Sequence, residues 1–391
     1  MPPASGYIYM DHSATTPVKP EVVDAMVPFL QQNFGNPSSI YSIARESKHV
    51  VESARESVAQ ALGAEPQEVF FTSGGTEADN WALKGIVSAN RKRGDHIITS
   101  AIEHHAVLYP ARYLEKQGIS VTYLPVDSYG LVDPVRVEDA ITDRTILISV
   151  MTANNEIGTI EPVKEIGRIA HSHGIPFHTD AVQAVGHIPL SVKDENIDLL
   201  SLSAHKFGGP KGIGALYIRK GIKIDPLLHG GGQERNRRAG TENVAGIVGL
   251  SKALEISMRD MESERRRLTH LRNRLCKGLL NVIPASRLNG HPLERLPGNV
   301  NISVEYVEGE SMLLLLDREG ICASTGSACT SGSLEPSHVL MAIGLPHEVA
   351  HGSLRFTLGA MNTIEDVDRV IDVVPRVVEK LREMSPLSPT Q

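Results

Sequence analysis

Lys206 ends the segment Ser201-Leu202-Ser203-Ala204-His205-Lys206, which grows out of an apolar run over residues 197–202 and breaks on Phe207-Gly208-Gly209-Pro210-Lys211-Gly212. An apolar strand that stops in Ser, His and Lys sets one amine at a sheet edge, where neighbours desolvate it and lower its pKa. Such an amine suits imine chemistry, whereas a lysine after a strand without special neighbours is an ordinary surface group. Two other segments supply candidate neighbours. Ser73-Gly74-Gly75-Thr76 lies between a strand expected over residues 68–72 and a helix over 77–90. Its glycines let backbone N–H groups approach an anion, and the helix N-terminus adds partial positive charge, although the turn matches neither the Walker A nor the G-x-G-x-x-G pattern. Thr179-Asp180-Ala181-Val182-Gln183 follows a strand over 175–178 and sets an acid at another carboxyl strand end, where it either caps a helix or meets a ligand. An anion cradle at Gly75 and Thr76, an acid at Asp180 and an amine at Lys206 are together what pyridoxal phosphate needs: a phosphate site, a partner for the pyridine nitrogen and an imine-forming lysine.

The elements that must position these groups alternate. Strands are expected over residues 96–99, 120–126 and 145–150 and helices over 106–117 and 163–172, a pattern that implies a parallel sheet. The polar run Thr152-Ala153-Asn154-Asn155-Glu156-Ile157-Gly158 follows the strand 145–150 directly, at the end of the sheet where open α/β folds bind ligands. Upstream, Tyr7-Ile8-Tyr9-Met10 reads as a strand, Asp11-His12-Ser13-Ala14-Thr15-Thr16-Pro17 as a polar turn and Pro20 as a helix start. From Val50 onward, Val51, Ala54, Val58, Ala61 and Leu62 recur at helical spacing while Glu52, Arg55 and Glu56 fill the other face. The loop Phe34-Gly35-Asn36-Pro37-Ser38-Ser39 precedes that helix, and Ser39 serves either as its cap or as a functional group.

The chain has 391 residues, enough for two domains with developed cores. A net charge of -7 gives no broad positive field for nucleic acid, and Arg265-Arg266-Arg267 sits with Glu262 and Glu264 in a mixed-charge helix. No apolar run approaches the roughly 20 residues that a membrane helix needs. Met1-Pro2-Pro3-Ala4-Ser5-Gly6 lacks the basic and apolar character of a signal peptide, so a cytoplasmic location is expected. Three cysteines are too few, and odd in number, for a disulfide framework. Cys276, beside Leu271, Leu275 and Leu279, and Cys322, after Ile321, read as structural. Cys329 lies in Gly326-Ser327-Ala328-Cys329-Thr330-Ser331-Gly332-Ser333, whose small residues favour a mobile loop, and is the nucleophile candidate. His347-Glu348-Val349-Ala350-His351 matches the zinc-peptidase pattern H-E-x-x-H, but Gly344, Pro346 and Gly352 leave it about one helical turn where that pattern needs a continuous helix.

In order and spacing, these segments resemble the cysteine desulfurase family of the NifS/IscS group over nearly the whole chain. The resembling stretches include Asp11 to Pro17, Phe34-Gly35-Asn36-Pro37-Ser38, Thr72-Ser73-Gly74-Gly75-Thr76-Glu77, Glu103-His104, Asn154-Asn155-Glu156-Ile157-Gly158, Asp180-Ala181-Val182-Gln183 and Ser203-Ala204-His205-Lys206. Gly230-Gly231-Gly232-Gln233-Glu234, Arg238-Ala239-Gly240-Thr241-Glu242-Asn243, Ser324-Thr325-Gly326-Ser327-Ala328-Cys329 and Ser353-Leu354-Arg355-Phe356 continue the match. The resemblance implies an α/β, fold-type-I pyridoxal phosphate enzyme. Its large domain, residues 16–260, would hold a mainly parallel seven-stranded sheet between helices, and a smaller α+β domain, residues 1–15 and 261–391, would carry the Cys329 loop.

By the same resemblance, Lys206 would carry the cofactor covalently, Asp180 would pair with the pyridine nitrogen and His104 would stack on the ring. Gln183 and Asn155 would contact its oxygens, and Gly75, Thr76, Ser203 and His205 would bind its phosphate, with Thr241 reaching in from the second subunit of a homodimer. Arg355 would take the carboxylate of L-cysteine, assisted by Asn36 and Asn155, although read from the sequence alone it also fits a strand salt bridge. Cys329 would receive the sulfur as a persulfide and leave L-alanine, after deprotonation by His104 or by the substrate amine. The family passes such sulfur to an IscU-like iron-sulfur scaffold protein, with Cys329 transiently ligating a shared 2Fe-2S cluster and no intrinsic metal. The tail beyond Ser385-Pro386-Leu387-Ser388-Pro389 lacks the further extension that some bacterial members use near the scaffold. Other readings are a selenocysteine lyase or another fold-type-I enzyme such as an aminotransferase, a non-catalytic sulfur-assembly subunit, and a zinc peptidase through His347, Glu348 and His351.

Overall fold

Seven strands, all but the edge strand β3 buried along their length, make the central sheet: β1 Val69–Thr72, β2 His96–Ser100, β3 Ser120–Leu124, β4 Thr145–Ser149, β5 Phe177–Asp180, β6 Leu199–Ser203 and β7 Gly214–Ile218. The structure is a computed structural model and describes residues 6–325 and 336–384. Strand order is β1-β7-β6-β5-β4-β2-β3, and every pairing is parallel except the two made by β7. Because successive side chains in a strand point to opposite faces, neighbours divide between two layers. Phe70, Ile97, Leu147, Leu199 and Leu216 pack with Trp81, Ile86, Val107 and Leu114 from the helices Gly75–Asn90 and His105–Glu115. Phe71, Ile98, Ile148, Leu200 and Ala215 pack on the other side with Val58, Ile166 and Leu250 from the helices Ser42–Leu62, Val163–Ser172 and Val244–Val282. The result is the mainly parallel α/β sheet expected from the alternation of elements, with the seven strands that the resemblance implied, and all parallel strands deliver their carboxyl ends to one edge.

The helix Val244–Val282 is 39 residues long and serves two cores. Ile247, Leu250 and Leu254 belong to the sheet core, whereas Leu268, Leu271, Leu275 and Leu279 belong to a second one. That second core covers a three-stranded antiparallel sheet, Ser286–Leu288, Asn299–Val304 and Ser353–Thr357, and takes in Val367, Val370 and Val374 from the helix Ile364–Met384. Met10 is fully buried in it, and Ile8–Tyr9 pairs in parallel with Ile321–Cys322. The chain start is thereby fastened to the C-terminal third before it enters the sheet region.

The helix expected from Val50 begins earlier, at Ser42. Its buried positions include Ala44, Ser47, Val51, Ala54, Arg55, Val58 and Leu62, so a serine and an arginine sit on the face that an apolar pattern would leave to hydrophobes. Ser39 does not cap it: the residue before the first turn is Tyr41, and Ser39 instead donates its N–H to Asn36 O in a preceding turn. Arg55, expected on the solvent side, is 1% exposed. Its guanidinium forks onto Glu234, with Nη1 and Nη2 at 2.7 and 2.9 Å, and Nη1 also donates to Val69 O. Glu234 in turn accepts from Phe71 N at 3.0 Å, so one buried charge pair ties a helix, β1 and the segment 234–236 together. Removing one partner of such a pair strands a buried charge. Arg55→Met is expected to lower stability by about 3–5 kcal/mol in urea unfolding, and an unchanged midpoint would show that the pair contributes nothing.

Candidate active site

The carboxyl ends of β1, β2, β4, β5 and β6 open on a cleft of 330 Å3. At one end of it, β1 turns through Gly74, with φ at 153°, into the helix Gly75–Asn90. A Cβ on Gly75 would lie 2.6 Å from Val182 Cγ2, so only glycine lets the helix start this close to the segment after β5. Gly75 and Thr76 line the cleft from this side, and Ser203 and His205, at the end of β6, line it from the other. His205 has its Nδ1 3.2 Å from Thr15 Oγ1, and burial beside Lys206 holds it down to about 4.

Lys206 closes the 3-10 turn Ala204–Lys206 that follows β6. Its Nζ donates to the carbonyls of Ser13 and Ala14 at 2.5 and 2.9 Å, while its own carbonyl accepts from His187 Nε2 at 2.9 Å. Thr16 donates both its N–H and its hydroxyl to His205 O, at 2.9 and 2.8 Å. The polar turn 11–17, one of the stretches that carry the resemblance, is therefore a bracket for the lysine, a role the sequence reading did not assign to it.

Asp180 is the last residue of β5 and is 5% exposed. Its Oδ1 accepts from Val182 N at 2.9 Å, and burial pushes the carboxyl up to about 6 although the Lys206 amine opposes the rise. His104 precedes the helix His105–Glu115 and caps it, with Nδ1 accepting from Ala106 N at 3.1 Å. A ring nitrogen that accepts has no hydrogen, so the neutral tautomer is Nε2–H. Burial, Lys206 and the neighbouring His105 and His338 hold His104 down to about 4, and it is uncharged at neutral pH.

Gln183 and Asn155 line the cleft; Gln183 donates to Ser13 O at 3.1 Å, and Asn155 O accepts from Arg355 Nη1 at 3.0 Å. Arg355 reaches the cleft from Ser353–Thr357 and is 3% exposed. It also pairs with Asp11 at 2.9 Å, so a wall of the cleft and a salt bridge are the same side chain, and its Nε is buried without a hydrogen-bond partner. Asn36 does not line this cleft: it is exposed, and its Oδ1 accepts from Ser38 N. Thr241 is exposed and likewise not a lining residue within this one chain. Cys329 lies outside the described residues. Cys276 and Cys322 are half-buried, and burial pushes both thiols up, away from thiolate. His347 and His351 share a five-residue helix with their rings packed edge to face at 4.6 Å, and among the described residues no group of three His, Cys, Asp or Glu could hold a metal ion.

Several residues of the cleft and of the shell behind it were given no role of their own by the sequence reading. Asp79 stands one turn inside the helix that starts at Gly75, and Ser13 and Ala14 act through backbone carbonyls that no side-chain pattern reveals. Glu103 is fully buried; it accepts from Ser100 Oγ and Met151 N at 2.7 and 2.8 Å and is pushed by burial up to about 8. Ser337 donates its hydroxyl to the buried Glu156, and His338 Nε2 donates to Glu103 O at 3.0 Å, which fixes the segment just beyond residue 335 against the cleft. An anion cradle kept open by a glycine, a buried acid with raised pKa, an uncharged imidazole and a lysine amine in one dry cleft fit pyridoxal phosphate.

Comparison with known proteins gives the same direction. The family model described as Aminotransferase class-V matches residues 8–370. The chain is 66% identical over 384 residues to a protein of Methanosarcina thermophila named "Cysteine desulfurase IscS", covering 98% of this chain and 95% of that protein. It is 61% identical over 382 residues to one of the same name from Clostridium botulinum, covering 97% and 96%. Among solved structures, a "NIFS-LIKE PROTEIN" superposes with a TM-score of 0.90 at 40% identity, covering 96% of this chain and 100% of that one. "SspA in complex with cysteine" superposes with a TM-score of 0.81 at 39% identity, covering 90% and 98%.

The buried titrating groups give stability a maximum near neutrality. His104, His205 and His338 sit near 4 when folded and near 6.5 when unfolded, so the unfolded chain binds more protons and stability falls as pH drops from 6.5 to 4. Glu103 moves the other way, from an ordinary 4.5 to about 8, so its contribution is complete below 4.5 and is lost as pH rises through 8. Calorimetry on cofactor-free protein should show the unfolding temperature falling on both sides of neutrality. Glu103→Gln should make the alkaline limb shallower, and an unaltered limb would mean Glu103 is ionised in the folded state.

Proposed function

The chain belongs to the class-V aminotransferase family as a pyridoxal phosphate-dependent cysteine desulfurase of the NifS/IscS group, and on that premise we propose how its residues divide the work. The observation that carries the reading is the convergence of Lys206, Asp180, His104, Gly75, Thr76, Ser203, His205 and Arg355 on one cleft. When bound, pyridoxal phosphate supplies an electron sink that makes the Cβ–S bond of cysteine labile. Lys206 holds the cofactor and moves the α-proton at Nζ, oriented by the carbonyls of Ser13 and Ala14. Asp180 would pair with the ring nitrogen, His104 would stack on the ring, and Gln183 and Asn155 would contact its oxygens. Gly75, Thr76, Ser203 and His205 cradle the phosphate.

Arg355 binds the substrate carboxylate with the donor capacity left beside Asp11, assisted by Asn155 and, as the family resemblance implies, by Asn36. The Cys329 thiolate attacks the substrate sulfur; the new S–S bond forms as Cβ–S breaks, and protonation of the electron pair left on carbon gives L-alanine. The persulfide then serves an IscU-like scaffold for iron-sulfur clusters. We assign the enzyme to the cytoplasm as a homodimer in which Thr241 completes the phosphate site of the second subunit. The apolar side chains of Leu30, Phe34, Ile40 and Tyr41, exposed in one stretch, support a second copy as their cover. Residues 16–260 carry the cofactor, and residues 1–15 with 261–391 carry the sulfur acceptor.

Two variants test this assignment. Lys206→Ala should lose the borohydride-reducible link to the cofactor, and turnover should fall by roughly 10²–10⁴-fold or more, the contribution of a positioned acid–base group. A reduced cofactor that maps to Lys211 instead would move the site. With the wild type, L-cysteine should give L-alanine and one extra sulfur on the peptide that holds Cys329, released by reductant as sulfide. Cys329→Ser should bind cofactor and L-cysteine yet form neither product, since a serine hydroxyl offers almost no anion at neutral pH. Sulfur mapped to Cys276 or Cys322, or wild-type turnover by Cys329→Ser, would favour direct elimination, as in a lyase.

A further inference from the structure

Behind Asp180 runs a buried polar chain that the reaction as described does not use. Ser149 on β4 and His178 on β5 are directly opposite in register, as are Asp180 and Ser201. His178 Nδ1 is 2.8 Å from Ser149 Oγ, and its Nε2 is 3.0 Å from Ser201 Oγ. The same Nε2 is 3.6 Å from Asp79 Oδ1, and Asp79 is 1% exposed on the wall of the active cleft. Besides Glu156, which takes the Ser337 hydroxyl, the cleft thus holds two buried carboxyl groups, Asp79 and Asp180, where the ring nitrogen of the cofactor requires one charge.

The two acids are not equivalent. Asp180 has a backbone donor, Val182 N–H at 2.9 Å, and the Lys206 amine favours its charge. Asp79 Oδ1 is buried with no hydrogen-bond partner, and His178, at 3.6 Å, is no cation because burial holds it down to about 3. The charged and titratable groups around Asp79 are Asp180 and His178 on β5, Glu103 after β2, His104 and His105 at the next helix start, and Lys206 and His205 after β6. Burial pushes Asp79 well above the ordinary range, the neighbouring charge of Asp180 adds to the rise, and the hydrogen bond with Ser201 opposes it only in part. Like-charged carboxyls that share a dry site cannot both ionise. An oxygen without a donor is costly on a carboxylate and tolerable on a neutral acid.

We propose that Asp79 is a positioning residue that holds a proton beside Asp180, so that Asp180 alone presents a charge to the ring nitrogen, with Ser149, His178 and Ser201 as the hydrogen-bonded chain that keeps the proton there. This rests on pyridoxal phosphate occupying the cleft. The serines bracket a neutral imidazole, which has one donor and one acceptor nitrogen, so with the proton on Asp79 the chain is bonded in one direction: Asp79 donates to Ser201 Oγ, the Ser201 hydroxyl to His178 Nε2, and His178 Nδ1–H to Ser149 Oγ. The pair then contributes one negative charge rather than two or none.

The test compares wild type, Asp79→Asn and Ser201→Ala. In cofactor-free protein at pH 8, the infrared difference between wild type and Asp79→Asn should contain the C=O stretch of one protonated carboxylic acid, and Ser201→Ala should shift the pH at which that band titrates. Because an amide is neutral like the protonated acid, Asp79→Asn should bind pyridoxal phosphate within about threefold of wild type from pH 6 to pH 8, as read by absorbance titration. Absence of the band from the difference, a band midpoint unmoved by Ser201→Ala, or a tenfold change in cofactor affinity in Asp79→Asn would overturn the proposal. A wild type that binds no pyridoxal phosphate would sink the cofactor reading instead, while the infrared result would still decide whether Asp79 carries the proton.

Discussion

Burial of charge at one edge of a parallel sheet is the constraint on which the rest of this structure depends. Asp180 ends β5 and Lys206 closes the turn after the adjacent strand β6, and each would be costly to bury without the other. Around them the protein keeps other groups neutral: His104 and His205 are held near 4, and Glu103 near 8. A cleft in which most titratable groups are uncharged leaves its few charges to act strongly, because little polar surrounding remains to screen them. Preorganised charge of that kind is what a cofactor with one cationic ring and one anionic phosphate can use.

The N-terminal turn is what makes the two cores one site. Ile8–Tyr9 adds to the C-terminal strand Ile321–Cys322, and Met10 enters the second core. A few residues later Ser13 and Ala14 hold the amine of Lys206, and Thr16 holds the carbonyl of His205. Between those attachments Asp11 pairs with Arg355, which also bonds the Asn155 carbonyl after β4. A shift of one core against the other would therefore disturb the lysine and the arginine together. Glu156 adds a further tie, since its backbone carbonyl accepts from Asn299 and Asn301 in the antiparallel sheet while its carboxyl takes the Ser337 hydroxyl.

Much of the fold and the core of the site were legible because their determinants are local. A strand of apolar residues, a glycine turn and a helix are each encoded within about a dozen neighbours, and in an alternating α/β chain this fixes which edge of the sheet the turns must share. Gly75, Thr76, Asp180 and Lys206 each stand at the carboxyl end of a strand or within four residues of it, so their meeting follows from topology with no knowledge of packing. The helix Ser42–Leu62 shows where local pattern fails: Ser47 and Arg55 occupy its buried face, and neither is apolar. Arg55 can be buried only because Glu234 arrives from 179 positions away.

The sequence by itself determined the parallel sheet, the positions of the phosphate turn, the acid and the lysine, and, through the resemblance of its motifs, the chemistry they serve. Tertiary structure alone decided what surrounds them. The carbonyls that orient Lys206 come from 193 and 192 positions earlier, and the carboxylate that pairs with Arg355 lies 344 positions away. Asp79 became visible as a second acid beside Asp180 only when the helix from Gly75 was laid on the sheet. The physical reason is the same in each case: desolvation and pairing energies depend on what else is buried at the same point in space, and no window along the chain contains that information.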